Sequence, residues 1–155
     1  MAIMGIRASA QEIRFAILEK NTDGEIVFVN KDDEHRLKYP ASIDEIDEKL
    51  MWVKSEIDRI IRKNTNITKF MVKMNEYTGT ENSAKRETTY MDAVFMLCAK
   101  EHNISVERKL YAQIGSSSAN AKEYAEQIVG RTEKYWNNTI ADAILVAYRG
   151  LKDDI

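Results

Sequence analysis

The sequence is short of several things, and each absence excludes something. It has one cysteine, one proline and no apolar run approaching the ~18 residues that a membrane-spanning helix requires. Cys98, within Ala93-Val94-Phe95-Met96-Leu97-Cys98-Ala99, has no partner for an internal disulfide. A thiol acting as a small buried hydrophobe in a reducing, cytoplasmic setting is expected. No basic stretch leads into an apolar core at the N-terminus, so neither a secretory signal nor a membrane partner is expected. Charge of one sign is also missing: 23 basic residues face 25 acidic ones, a formal net charge of −2. That excludes a global positive field drawing in nucleic acid and leaves only local basic grooves. Repeats, low-complexity tracts and flexible linkers are absent, and 155 residues suit a single domain over 1–155.

What is present reads as alternating strands and helices. Ile3 to Ile6, Glu12 to Glu19 and Glu25 to Asn30 read as three strands. The turn Asn21-Thr22-Asp23-Gly24 carries the Asp-Gly of a hairpin. Ile26-Val27-Phe28-Val29 has the composition of a strand packed on both faces, and the polar stretch Lys31 to Lys38 follows, ending before Pro40. Ser42-Ile43-Asp44-Glu45 matches a capping box with Ser42 as N-cap. Ile43, Ile46, Leu50, Val53, Ile57, Ile60 and Ile61 then form one helical stripe, which Asn64-Thr65-Asn66 closes. Lys69 to Met74 is a fourth strand. A second helix from Ser83 to about His102 buries Ala84, Met91, Val94, Phe95 and Cys98. Ile104 to Leu110 supplies a fifth strand, Asn120 caps a helix that ends at Gly130, and Thr139 to Leu151 forms the last helix. This order predicts an α/β fold: a mixed five-stranded sheet whose first three strands are antiparallel. Later strands join in parallel through helical crossovers, with helices on both faces.

Three segments resemble the RuvC branch of the ribonuclease H-like fold, the Holliday-junction resolvases. Ala2-Ile3-Met4-Gly5-Ile6-Arg7 resembles its opening strand, normally Ile-Gly-Ile-Asp. Phe70-Met71-Val72-Lys73-Met74-Asn75-Glu76 resembles the fourth strand, which delivers a glutamate, and Ile140 to Ala147, with Ala-Asp-Ala, resembles the final helix. The resemblance implies a nuclease site in which four acids hold two magnesium or manganese ions: one on the first strand, one ending the fourth, two on the last helix. Such ions, about 4 Å apart, activate water and stabilise the leaving oxygen of a phosphodiester. They need several oxygen ligands.

Carried over residue by residue, the set is incomplete. Arg7 replaces the first-strand acid, Glu76 keeps the fourth-strand one, Asp142 keeps one helix acid, and Thr139 replaces the other. A guanidinium within ~5 Å opposes cation binding by several kcal/mol at low dielectric. The resemblance therefore implies catalytic residues Glu76 and Asp142 in vestigial or altered form, with Arg7 and Thr139 occupying the former metal positions. The expectation is a non-catalytic or strongly altered resolvase-like protein that binds nucleic acid or another protein and uses no cofactor. Two alternatives remain. One is an active magnesium- or manganese-dependent nuclease with Glu76 and Asp142 as metal ligands, supplemented by Glu81 or Asp92. The other is a structural homodimer. Arg7 also reads as an ordinary arginine leading into a loop, and Glu76 as a solvated loop acid.

The other constellations are weaker. Lys73, Lys85, Arg86 and Lys122 are candidates for holding backbone phosphate, although solvated surface charge explains each equally well. Gly115 to Lys122 resembles a phosphate-binding turn but lacks the second glycine and the Gly-Lys-Ser/Thr ending of a nucleotide loop. His35 and His102 read as surface histidines. Tyr135 and Trp136 suit a hydrophobic anchor better than a base-stacking platform.

Overall fold

A computed structural model describes residues 1–153; the last two residues of the expected 1–155 domain lie outside the described residues. Strand β1 (Ala2–Ala8) pairs antiparallel with β2 (Glu12–Lys20), opposing Gly5 to Ala16 and Arg7 to Arg14. Strand β3 (Ile26–Phe28) continues the antiparallel run beyond the Asn21 turn, where Gly24 at φ 82° adopts the conformation that favours glycine. The first crossover helix, α1 (Ile46–Lys63), brings β5 (Ile67–Lys73) parallel to β1, and α2 (Ser83–Glu101) brings β6 (Ser105–Lys109) parallel to β5. A one-turn helix α3 (Tyr111–Ile114), α4 (Ala121–Val129) and α5 (Asn138–Asp153) complete the chain. The α/β sheet with helices on both faces is the architecture expected.

Alternation along β1 explains the two layers. Ala2, Met4, Ile6 and Ala8 enter one apolar cluster with Val53, Ile57, Phe95 and Cys98 from α1 and α2. Ile3 points the other way, into a cluster with Ala121 and Ala125 of α4 and Ile140, Ile144 and Ala147 of α5. Because α5 packs on the sheet and also against α4, every residue from Ile140 to Ala147 is buried, Asp142 among them. Gly5 permits that approach. A Cβ there would lie 1.9 Å from the Ala143 carbonyl oxygen.

Several local expectations are corrected. The sheet has six strands: β4 (Arg36–Lys38), within the stretch read as polar, pairs with the beginning of β2 while β3 pairs with its end. Between them the buried Asn30 amide stands in for strand backbone, accepting from Ile17 N–H at 2.8 Å and donating to Phe15 O at 3.2 Å. Strand β3 is shorter than Glu25–Asn30 and lies on the edge, so Val27 and Val29 are exposed rather than packed on both faces. Ser42 does not cap α1. A turn from Ile43 N–H to Pro40 O absorbs it, and the helix starts at Ile46 with Glu45 as a cap that makes no side-chain bond. Ala84 is exposed on α2, whose inward face instead includes Thr88 and Asp92. The strand expected over Ile104 to Leu110 is one residue shorter at each end, the last helix begins one residue before Thr139 and ends two residues after Leu151, and the one-turn α3 lies where the sequence shows no helical signal. His35 is buried, drawn in by the β4–β2 pairing, and burial followed by the neighbouring Arg14 charge lowers its pKa. Cys98 is buried as expected.

Candidate functional site at the ends of β1 and β5

Strands β1 and β5 run parallel with Ile6 beside Val72, so the next residues, Arg7 and Lys73, end the two strands side by side. Both follow the alternation of Ile3 and Met71, which face α5. There the second turn of α5 presents Asp142, which is 3% exposed. The chain thus brings two cations to one buried carboxylate.

The contacts form a closed network. Arg7 Nε lies 3.5 Å from Asp142 Oδ2, and its Nη1 donates to Lys73 O and Asn75 Oδ1, both at 3.1 Å. The Lys73 ammonium, whose side chain is wholly buried, donates to Met74 O at 2.6 Å and to Glu76 Oε2 at 3.2 Å. It also sits 3.9 Å from the centre of the Tyr111 ring. Tyr111, at the start of α3, donates its hydroxyl to both Asp142 oxygens at 2.8 and 2.9 Å, and its backbone N–H reaches Glu76 Oε2 at 3.2 Å. Burial raises the Asp142 pKa, opposed by the Tyr111 hydrogen bond and then by Arg7 and Lys73. Burial likewise lowers that of Lys73, and the adjacent Arg7 adds to the effect.

A third cation lies opposite Arg7 in the β1–β2 ladder. Arg14 is fully buried, and its pKa is pushed down to about 10, chiefly by that burial. It donates to Tyr135 O at 2.6 Å, to His35 Nδ1 at 2.8 Å and to Asn137 Oδ1 at 3.3 Å, and lies 3.7 Å from Glu12. Asn137 Oδ1 also accepts the Ile140 N–H, capping α5. Arg14 therefore fixes both the loop before α5 and the helix start that positions Asp142. Tyr135, held at φ 60°, is exposed and carries the Arg36 guanidinium 4.1 Å from its ring centre; Arg36 also pairs with Glu12.

The structure thus brings Arg7, Glu76 and Asp142 together. Thr139 is half-buried in the first turn of α5, and among the described residues it has no hydrogen bond to these groups. Glu76 lies beyond the end of β5, and the residue ending that strand beside Arg7 is Lys73. Of the four phosphate candidates, Lys73 is withdrawn into the interior. Lys85 donates to Thr78 O at 2.7 Å and Arg86 pairs with Glu81 at 3.3 Å, both at the start of α2. Lys122 is exposed on α4, across the sheet from α2. The set therefore does not converge on one spot. His102 is partly buried, 3.1 Å from Asp58. The sequence reading missed the roles of Tyr111 and Arg14. Of the two acids named as possible supplements, Glu81 pairs with Arg86, whereas Asp92, on α2, is 5% exposed and its Oδ1 has no hydrogen-bond partner.

A pair of divalent ions needs several free oxygen donors. Here Glu76 and Asp142 each already contact a cation of the chain. Among the described residues no group of three His, Cys, Asp or Glu side chains is placed to hold a metal ion. The donor set, as the chain's own cations hold it, does not fit a two-metal centre.

Sheet order, crossovers and the position of α5 over β1 define a RuvC-type, ribonuclease H-like fold. Among solved structures, Thermus thermophilus RuvC in complex with Holliday junction substrate is similar at 14% identity and a TM-score of 0.75, over 96% of this chain and 92% of that one. The fowlpox virus resolvase with substrate Holliday junction DNA gives 12% identity and a TM-score of 0.62, over 100% and 99%. The yeast mitochondrial Holliday junction resolvase gives 9% and 0.62, over 95% and 76%. At these identities the likeness is one of fold. No protein-family model matches the sequence, and no curated protein matches it.

Proposed function

We propose that this chain is a nucleic-acid-binding protein of resolvase fold, specific for branched structures, in which an internal ion-pair network replaces two-metal hydrolysis. The observation that carries this is the arrangement at the strand ends. Arg7 lies 3.5 Å from Asp142 and Lys73 lies 3.2 Å from Glu76, so each carboxylate that would serve a metal serves a cation of the chain. Placing a divalent ion there would mean displacing or repelling the buried Lys73 and the partly buried Arg7. The binding half is supported by the fold, since Thermus thermophilus RuvC and the fowlpox virus resolvase are both described in complex with Holliday junction DNA.

The test is a gel-shift and cleavage assay at low salt with the full chain and a four-way junction, a duplex and a single strand. A junction complex that forms in EDTA and stays uncut in magnesium or manganese is the expected result. Cleavage that disappears in Glu76→Gln overturns the non-catalytic half. Failure to bind any of the three nucleic acids, with a dimer by light scattering, overturns the binding half in favour of a homodimeric interaction protein.

A further inference from the structure

A cavity of about 450 Å³ opens beside the ion-pair network, between the loop after β5 and helix α2. Its volume is that of a small-molecule site. Met74 and Met96 contribute soft apolar walls, while Asp92, Glu76, Lys85 and Arg108 contribute charge. Asp92 is the unusual member. A carboxyl group 5% exposed, with an oxygen that no donor reaches, is costly to bury, and its desolvation raises its pKa to about 7. Such a group points to a ligand that brings its own donors.

The surrounding charge narrows the choice. Arg7, Arg108 and Lys73 all act electrostatically on Asp92, so a cationic ligand would meet three positive groups. A simple anion would meet the carboxyl group instead. A neutral, planar head with N–H donors, joined to an anionic tail, satisfies both ends. Arg108 is exposed, lines the cavity and makes no hydrogen bond or ion pair to the described residues; Lys85 spends one donor on Thr78 O. Both therefore have donors to offer a phosphate.

We infer that this cavity binds a guanine nucleotide unit, with Asp92 accepting from the base, Met74 and Met96 enclosing its faces, and Arg108 and Lys85 contacting the phosphate. Guanine is the nucleobase that offers two adjacent donors, a ring N–H and an exocyclic amine, to an acceptor-only carboxylate. The same chemistry arrives either as a free nucleotide or as an unpaired guanine in a strand. The inference goes beyond the binding of branched nucleic acid and does not depend on it.

Calorimetric titration of the full chain at pH 8 tests it with guanosine monophosphate against inosine monophosphate, which lacks only the amine. Guanosine monophosphate should bind about tenfold more tightly, the value of one buried hydrogen bond to a charged acceptor. The ratio should collapse to one in Asp92→Ala. Arg108→Ala should weaken both ligands and preserve the ratio, and far-ultraviolet dichroism of both variants verifies that they are folded. A DNA hairpin carrying one bulged guanine, compared with the same hairpin carrying inosine, reads the strand-borne source. Discrimination in the hairpin alone assigns the site to nucleic acid, and discrimination in the monophosphates alone assigns it to free nucleotide. Equal affinities in both arms, absence of binding in both, or a preference that survives Asp92→Ala overturns the inference.

Discussion

Arg7 and Asp142, 135 positions apart in sequence, meet with Nε and Oδ2 3.5 Å apart beneath the first turns of α5. The pair is largely buried, 18% and 4% exposed in its side chains, so each charge is offset by the other more than by water. Removing one charge from such a pair leaves the second uncompensated, at a cost of about 3–5 kcal/mol. Arg7→Met should therefore lower unfolding free energy by about that much in urea titration. The double variant Arg7→Met/Asp142→Asn should recover much of the loss. Simple addition of the two single effects would show that the pair is not coupled.

Metal binding should be recoverable only by changing both strand ends. Arg7→Asp alone leaves the Lys73 ammonium in place, whereas Arg7→Asp/Lys73→Glu gathers four acids with Glu76 and Asp142. Manganese titration followed by calorimetry or electron spin resonance should detect binding in the double variant and not in the single one. Equal binding by both would mean that Lys73 does not exclude the ion.

Asp92 gives the protein a pH-dependent stability whose sign is fixed. Its folded pKa, about 7, lies above the ordinary aspartate value of 3.8 because burial disfavours the charged form. Below that lower value both states hold the proton. As pH rises from about 4 to 7 the unfolded chain releases it first, and stability falls. Asp92→Asn should gain about 2–4 kcal/mol over the wild type above pH 7, with the gain shrinking toward zero near pH 4. A difference that does not change with pH in denaturant titrations would refute the assignment.

Gly5→Ala should be severely destabilising despite adding a single carbon. The new Cβ would meet backbone, the Ala143 carbonyl, so no side-chain rotation relieves it. A loss of about 3 kcal/mol or more is expected, together with a thermal midpoint lowered by several degrees. Near-wild-type melting would mean that α5 can lift from β1 freely.

Cys98 should resist a thiol reagent until the protein unfolds. Its side chain is inaccessible, and desolvation pushes its pKa up to about 12. Labelling in native buffer should follow the unfolding rate and accelerate with denaturant. Rapid stoichiometric labelling would contradict the packing of α2 against the sheet.

The regular parts of the fold were legible because they depend on periodicity. The stripe from Ile46 to Ile61, the alternation in β1 and β2, and the Asp-Gly turn each express burial directly. Misreadings arose where a tertiary contact overrode a local signal. Ser42 satisfies a capping pattern, yet the Pro40–Ile43 turn claims it first. Arg36 to Lys38 looks like a solvated loop, but the open edge of β2 recruits it. At the site, Arg7 and Asp142 were visible as departures from and matches to a motif. Lys73 was not, because a lysine after Phe70-Met71-Val72 looks like the strand emerging into solvent until Tyr111 and α5 close over it. Asp92 carried an available clue: Thr88, Met91, Asp92, Phe95, Cys98 and Ala99 share one helical face, so a carboxylate inside that stripe was bound to be buried.

Asn30, the residue that bridges β3 and β4, has a bearing on how copies of this protein can meet. Its side chain fills the ladder position where an incoming strand would otherwise find free backbone on β2, so this margin of the sheet offers no continuous template. The opposite margin is β6, five residues long and bearing Glu107, Arg108 and Lys109. A strand approaching β2 between β3 and β4 thus meets an amide already bonded there, and one approaching β6 meets a charged edge.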